Sequence, residues 1–419
     1  MDTPRKAIVV GAGIVGICCG IELLRRGWAV TLIDRLEPGH GCSFGNAGIL
    51  AAHGVVPIAL PGLMPQVPRM LLDRQGPLVL RWRSLPHTLP WLLRLRRAAT
   101  LQQARRSSAA MKQLYGNSVE LHQALAREAG VPELIHSAPG LYVHRDIAGI
   151  DLEHSLAWQL RREHGAQIEV LQGGALREAE PALSPAYARG VRMGPMGHTV
   201  NPLRLVQAYA ALFVRGGGRI VRGEARALRP SADKVLVAGD AELDVDADAD
   251  VVVVAAGAWS GALLQPLGIE LPLIAERGYH LTYADPGIRL NHVVTEVQAH
   301  FAVTSMEPGL RVAGTEEIGR ADDPPSWRRA EVLHAQAVRM FPGARLGQPS
   351  RWMGPRPGTP DSLPFIGALP GQPRVFVAAG HGHLGLTGAP QTGRIVAGLV
   401  SDKDLPGSIE AFAVGRFSA

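Results

Sequence analysis

A short apolar run, Ala7-Ile-Val-Val10, leads without interruption into Gly11-Ala-Gly13-Ile-Val-Gly16, and this junction constrains the chain more than any other stretch. β-branched residues ending at a glycine turn predict a strand buried in a parallel sheet. Gly11 permits the tight turn, Gly13 lets a diphosphate approach the backbone, and Gly16 lets the next helix lie close on the strand. That helix runs through Ile21, Leu23 and Leu24 to Gly27, and Ala29-Val-Thr-Leu-Ile33 returns as a second strand ending at Asp34. Free N–H groups and the helix dipole both favour phosphate at the helix start. An acid about 20 residues further on is placed to accept bonds from a ribose hydroxyl. The pattern predicts a dinucleotide site. It does not choose between NAD and FAD, although a strand beginning at residue 7 suits a flavoprotein whose cofactor runs through the whole molecule.

At 419 residues the chain exceeds what one hydrophobic core usually organises, so two domains are expected. Apolar residues at 46% and charged residues at 19% are the balance of a soluble globular protein. Lysine is confined to Lys6, Lys112, Lys234 and Lys403, so the +6 charge is carried by arginine. No basic run is interleaved with stacking aromatics, which argues against a nucleic-acid partner. Cys18, Cys19 and Cys42 form neither a C-x-x-C pair nor a metal-ligand spacing. Their odd number argues against a disulfide framework, so a reducing, cytoplasmic compartment and no metal are expected. The N-terminal apolar stretch enters a strand and a glycine loop and is not read as a signal peptide. No uncharged run of about 18 apolar residues offers a membrane span.

The chain then returns to the same kind of structure. Asn201-Pro202 opens a helix with Leu205, Val206, Tyr209, Ala210 and Phe213 at helical spacing, and Arg219-Ile-Val-Arg222 follows as a strand. Val251-Val-Val-Val254 is a fully apolar strand whose Ala255-Ala256-Gly257 end would let backbone lie against a cofactor. Arg374-Val-Phe-Val-Ala-Ala379 runs into Gly380-His-Gly-His-Leu-Gly-Leu-Thr-Gly388 and a last helix through Ile395 and Leu399, a second helix start aimed at the cofactor. Between these, Pro355 and Pro357 hold Arg356 between two rigid, proline-rich turns. Taken alone this is a surface loop. Beside a dinucleotide fold it is a clamp that grips a carboxylate through two parallel N–H···O bonds.

Five motifs in order resemble the D-amino acid dehydrogenase branch of the FAD-dependent D-amino acid oxidase family. They are the glycine loop with Asp34-Arg35, Gly41-Cys-Ser-Phe-Gly-Asn-Ala-Gly48, Glu276-Arg-Gly-Tyr-His280, the Arg356 to Gly367 segment, and Gly380 to Thr387. The resemblance implies an α/β protein with a Rossmann-like FAD-binding domain and an antiparallel-sheet substrate domain. It implies that Gly11, Gly13, Ile14, Val15, Gly16, Asp34 and Arg35 hold the ADP half of FAD. Cys42, Ser43, Asn46, Ala47 and Gly48 would follow the diphosphate and ribityl chain, with Ala256 and Gly257 flanking it. Gly382, His383, Leu384, Gly385, Leu386 and Thr387 would cover the flavin edge. Arg356 matches the carboxylate-binding arginine, and Tyr279 and His53 fall where side chains line the substrate pocket. No cysteine stands near residue 353, where sarcosine-oxidising relatives attach flavin, so FAD is expected to be noncovalent. Leu386 replaces a tryptophan usual in the general D-amino acid dehydrogenases, which leans toward D-proline or hydroxy-D-proline as substrate.

Residues 57–106 carry nine arginines against the single acid Asp73, a larger surplus than the +6 of the whole chain, beside Trp82, Trp91 and many leucines. That is the composition of a segment lying on an anionic membrane surface, where a quinone could take electrons. The alternative is an arginine-rich outer face of the substrate domain. Residues 1–53, 199–262 and 345–419 are expected to form the FAD domain, and 54–198 and 263–344 the substrate domain. The implied reaction is oxidation of a D-amino acid to its imino acid by hydride transfer from Cα to flavin. Arg356 would anchor the carboxylate, Tyr279 would donate a second bond to it, and His53 or His383 would accept the ammonium proton. An oxygen-using oxidase and a non-catalytic, membrane-associated flavin-carrying subunit are the rival readings.

Overall fold

The computed structural model describes residues 4–417 except 64, 66, 68–77, 147–149, 241–246, 403–404 and 406. Lys6–Val10 lies at the centre of a six-stranded sheet, parallel to Ala29–Asp34 on one side and to Val251–Val254 on the other. Arg219–Arg222 extends it beyond Ala29–Asp34, and Gln372–Ala379 beyond Val251–Val254. Phe365–Leu369 closes the far edge antiparallel.

Alternation along the central strands explains two cores. Ala7, Val9, Leu32, Val253 and Phe376 face helices Ile14–Leu24, Pro202–Arg215 and Gly385–Val400. Ile8, Val10, Ile33, Val252 and Val377 face a three-stranded sheet through Leu228, Val235 and Val237. Each valine removed from water in this way contributes roughly 1.5–3 kcal/mol. The Pro202–Arg215 helix is capped by the Asn201 side chain, which accepts from the Arg204 N–H at 3.0 Å. At Gly16 a Cβ would stand 1.9 Å from the Gly11 carbonyl oxygen, so only glycine lets the first helix leave the sheet at this angle. Cys18 and Cys19 are buried inside that helix, and burial raises both thiol pKa values.

The second large sheet runs in the order Ser350–Gly358, Ile274–Tyr283, Gly309–Gly319, Phe301–Met306, Val293–Glu296, Gly140–His144, Arg189–Gly194, Gln167–Gln172. Leu78–Leu80 also pairs with Gly309–Gly319. It is antiparallel except where Val293–Glu296 meets Gly140–His144 and where Leu78–Leu80 joins. Helix Arg328–Met340 covers one face through Leu333, Ala337 and Met340, against Tyr279, Leu281 and Tyr283. The other face looks toward the C-terminal ends of the parallel strands. Helix Leu85–Ala98 covers part of that face, with Trp91 and Leu95 on Ile274 and Ile318.

Three expectations about organisation are corrected. Arg356 sits in a regular strand, Ser350–Gly358, rather than between turns. This strand is the sheet edge, where Pro355 and Pro357 lose no ladder bond that the fold needs. It therefore belongs to the large sheet and not to the dinucleotide domain. Conversely, helices Leu101–Tyr115 and Ser118–Ala129 pack Met111, Leu114, Tyr115 and Leu125 into the core shared with Ile17 and Leu205. Their apolar faces make them part of the layer over the parallel sheet rather than of the substrate domain. In the arginine-rich segment Arg69, Asp73 and Arg74 lie outside the described residues. Arg81 bonds Glu317, Arg94 pairs with Glu270 at 3.2 Å and Arg105 with Glu163 at 3.3 Å, so part of its charge is met within the chain.

Candidate active site

Between the two sheets lies a cavity of about 590 Å³. The C-terminal ends of all five parallel strands open onto it, through Val10-Gly11, Ile33 to Arg35, Gly223 to Ala225, Ala255 to Trp259 and Ala378-Ala379. Ligands of open α/β sheets bind at this edge. Gly11, Gly13, Ile14 and Val15 line the cavity where the first helix begins, and the Ser43 hydroxyl accepts from the Ile14 N–H at 3.0 Å. The Asp34 carboxylate accepts from the N–H groups of Ala12 at 2.7 Å and Leu36 at 2.9 Å, which fixes it at the cavity wall. Arg35 lies over the Trp259 ring, 4.4 Å from its centroid, and walls the same end.

The middle of the cavity is backbone from residues 41–47. Arg311, reaching across from the large sheet, donates to the carbonyls of Phe44 at 2.9 Å and Asn46 at 2.8 Å and holds this loop in place. Cys42 donates its S–H to the Pro355 carbonyl at 2.9 Å, and burial pushes its thiol up to about 12, so it is an inert wall. Ser43, Asn46 and Ala47 line the cavity, as do Ala256 and Gly257 opposite. Three of the expected cofactor residues do not line the cavity. Gly16 packs helix on strand. Gly48 turns at φ +77 against the Thr199 carbonyl, where a Cβ would stand 2.5 Å from that oxygen. The Thr387 hydroxyl donates to the Ile49 carbonyl at 3.2 Å and so ties the last helix to the loop.

The far end is built by side chains from three strands. Glu276 and Arg356 are direct cross-strand partners, as are Gly278 and Gly354, and His280 and Trp352. The missing side chain at Gly278 makes room for Arg356: a Cβ there would stand 2.1 Å from Nη2. The guanidinium lies along the sheet toward Glu316, with Nη1 3.6 Å from its Oε1. Glu276 is buried, its carboxyl filling the gap left by Gly358, and its Oε2 has no hydrogen-bond partner. Burial and then Glu316 push it up to about 8, against the opposing pull of Arg356. His383 sits beside them; loss of water around its ring lowers its pKa, with Glu316 acting in the opposite direction and Arg356 adding to the lowering. Among the described residues, Glu276, Glu316 and His383 are the one group whose ligand-type atoms all lie within 4.8 Å of one another. Leu384, Gly385 and Leu386 continue the wall, with Gly382 at its start.

Tyr279 is not in this site. Strand alternation puts Glu276, Gly278 and His280 toward the cavity and Tyr279 on the opposite face. There its hydroxyl donates to Glu317 and accepts from the Ser326 N–H at 2.8 Å. His53 does line the cavity. It is buried with neither ring nitrogen bonded, and burial, followed by Lys112 and Arg161, lowers it to about 4, so it is neutral near pH 7.

Sequence reasoning missed Glu316, Trp352, Tyr142 and Arg161, all on the cavity wall. Glu316 depends on a bulge. Ala313 and Glu316, three apart, both line the cavity because Thr315 is an extra residue in the ladder, at φ +55. A buried threonine in that conformation stores strain of a kind that collects at functional sites. The residue with positive φ is a threonine rather than the neighbouring Gly314, so the sequence does not show where the extra residue falls.

Comparison with known proteins places these features in context. The profile described as DAO, FAD dependent oxidoreductase, matches residues 6–399. The chain is 38% identical to a protein named D-amino-acid oxidase from Bradyrhizobium diazoefficiens, over 100% of both chains. It is 31% identical to one named D-amino acid dehydrogenase from Rhizorhabdus wittichii, over 95% of this chain and 96% of the other. Among solved structures, glycine oxidase from Geobacillus kaustophilus superposes with a TM-score of 0.73 at 21% identity, over 98% and 99% of the two chains. L-proline dehydrogenase from P. horikoshii does so with a TM-score of 0.74 at 18% identity, over 100% and 99%. These two share the fold.

Proposed function

The chain belongs to the DAO family of FAD-dependent oxidoreductases, and from that premise we propose that it oxidises a D-amino acid to the imino acid. The cavity suits FAD: it runs from a helix N-terminus bordered by glycines, past a backbone-lined waist, to a wall of glycine and leucine with His383 at residues 382–386. When bound, FAD supplies the two-electron acceptor for the Cα hydride. The chain's own part is positioning. Gly13, Ile14 and Asp34 would hold the nucleotide half, and Ser43, Asn46 and Ala47 the middle. Arg356 would pin the substrate carboxylate so that one face of Cα meets the ring.

The observation that carries this reading is Arg356. It is a cation seated on glycine at the cavity end remote from the nucleotide loop, held by a sheet edge rather than by a mobile loop. Anaerobic mixing of the purified flavoprotein with D- and L-amino acids, proline and hydroxyproline included, tests it. D-enantiomers should bleach the flavin, and bleaching by L-enantiomers alone, or by none, would refute the reading. Leu386, buried at the cavity wall where the general D-amino acid dehydrogenases usually carry tryptophan, leans toward D-proline or hydroxy-D-proline within that panel.

For the electron acceptor we favour a quinone, reached from a membrane surface. The helix Leu85–Ala98 exposes Leu89 at 47% and Leu93 at 48% beside the exposed Arg96 and Arg97. Among the described residues no helix is long and apolar enough to cross a membrane, so such contact would be peripheral. Flotation with anionic liposomes at low salt tests it, and failure to co-migrate ends the idea. The 38% identity to a protein named as an oxidase supports a second reading, with O₂ as acceptor. Stoichiometric peroxide under air would select it, and quinone reduction without peroxide would exclude it.

A further inference from the structure

Resting on the amino acid reading above, we propose that Glu316, together with Glu276 and His383, forms a cradle for the substrate's ammonium group. In this proposal Glu316 exchanges its partner Arg356 for that ammonium as the substrate carboxylate arrives.

Three independent features converge on this. The first is charge order. Arg356 Nη1 and Glu316 Oε1 are 3.6 Å apart at the cavity wall. An α-amino acid carries its anion and cation one carbon apart, so a paired cation and anion in the protein match it group for group. The second is an orphan. Glu276 Oε2 is buried with no donor, in a residue only 2% exposed. Buried acceptors in folded proteins almost always have a partner, and the chain provides none here. An –NH₃⁺ brings three donors, and Glu276, Glu316 and His383 offer one acceptor each within a span of 4.8 Å. The third is the strained bulge at Thr315, φ +55. If Thr315 instead held a regular place in the ladder, alternation from Ala313 would turn Glu316 to the Tyr279 side and Glu317 toward the cavity.

The exchange also gives selectivity. Paired with Arg356, Glu316 partly neutralises it, so a carboxylate without an amine must compete with a resident anion. An amino acid does not, because its own ammonium draws Glu316 away. Formation of the neutral amine then breaks one N–H bond of the ammonium, and the proton passes to a Glu316 oxygen. It returns to water when product leaves.

The test uses the FAD-loaded enzyme and Glu316→Gln, with Glu316→Asp as the conservative control. Propionate, an amine-free carboxylate, is titrated by the flavin absorbance change and by calorimetry, and the D-amino acid that best reduces the wild type is followed anaerobically. In Glu316→Gln propionate should bind about tenfold tighter while kcat/KM for the amino acid falls about thirtyfold or more. Glu316→Asp should recover part of both. Opposite signs are the signature, since a merely structural role would weaken both ligands together. Equal loss of both, or no change in either, overturns the cradle while leaving amino acid oxidation standing. A wild type that no amino acid reduces overturns the underlying reading instead. One equivalent of a divalent metal per chain, lost in Glu316→Gln, would overturn the cradle in favour of a metal site.

Discussion

The two ends of the cavity are built by opposite strategies. The end proposed for the nucleotide is backbone: a glycine turn, a helix start and an acid, all within residues 10–36 and all attached to adjacent parallel strands. The far end is side chains: Arg356, Glu276 and Glu316 come from three strands of another sheet, 80 residues apart in sequence at the extremes, and meet only through register. The first is tolerant of side-chain identity and intolerant of added bulk. The second is the reverse, because each group acts by charge and direction.

Substitutions can break this contrast from either side. The largest effect is expected at Arg356. Arg356→Ala should reduce kcat/KM by the equivalent of about 2–5 kcal/mol, because it strands a desolvated carboxylate, while leaving the flavin spectrum in place. Kinetics within threefold of wild type would remove Arg356 from the site. At the other end Gly16→Ala puts a methyl 1.9 Å from a backbone oxygen that cannot yield. It should cost about 1–3 kcal/mol or more of stability and lower FAD content, measured by thermal unfolding and by the 450 nm to 280 nm absorbance ratio.

A smaller, pH-dependent effect is expected from Glu276. Its folded pKa, about 8, is raised above the ordinary 4.5. The stability linked to this group is therefore fully present below about 4.5 and is lost as pH rises through about 8. Tm of the wild type should fall relative to Glu276→Gln across that window, and parallel Tm curves would show that the carboxyl does not titrate there. The smallest effect on catalysis is expected at Tyr279. Tyr279→Phe should cost about 1–2 kcal/mol of stability, since Glu317 and the Ser326 N–H lose a buried partner. Steady-state kcat/KM should stay within threefold, and a large drop would return Tyr279 to the reaction.

What was legible in the sequence follows the same division. The parallel sheet, its first helix and the helix capped by Asn201 were readable because strand alternation, glycine turns and caps are local signals. Arg356 was readable as a constrained cation, although prolines on an edge strand were mistaken for turns. Tyr279 was placed one residue out of phase, and a one-residue error in a strand reverses the face. Glu316 was invisible because its direction is set by a bulge at a threonine, which carries no turn signature. The helices spanning 101–129 were assigned to the wrong layer because an amphipathic helix shows that it packs, not against what.

The three cysteines hold a practical consequence. Cys18 and Cys19 are sealed in the first helix, and Cys42, on the cavity wall, is bonded to the Pro355 carbonyl, all with thiols held protonated by burial. Native protein should resist maleimide reagents without any engineered removal of cysteine. A cysteine placed on the outer side of helix Leu85–Ala98 would then be the sole labelling point, so a dye there could report lipid contact on the unaltered remainder of the chain.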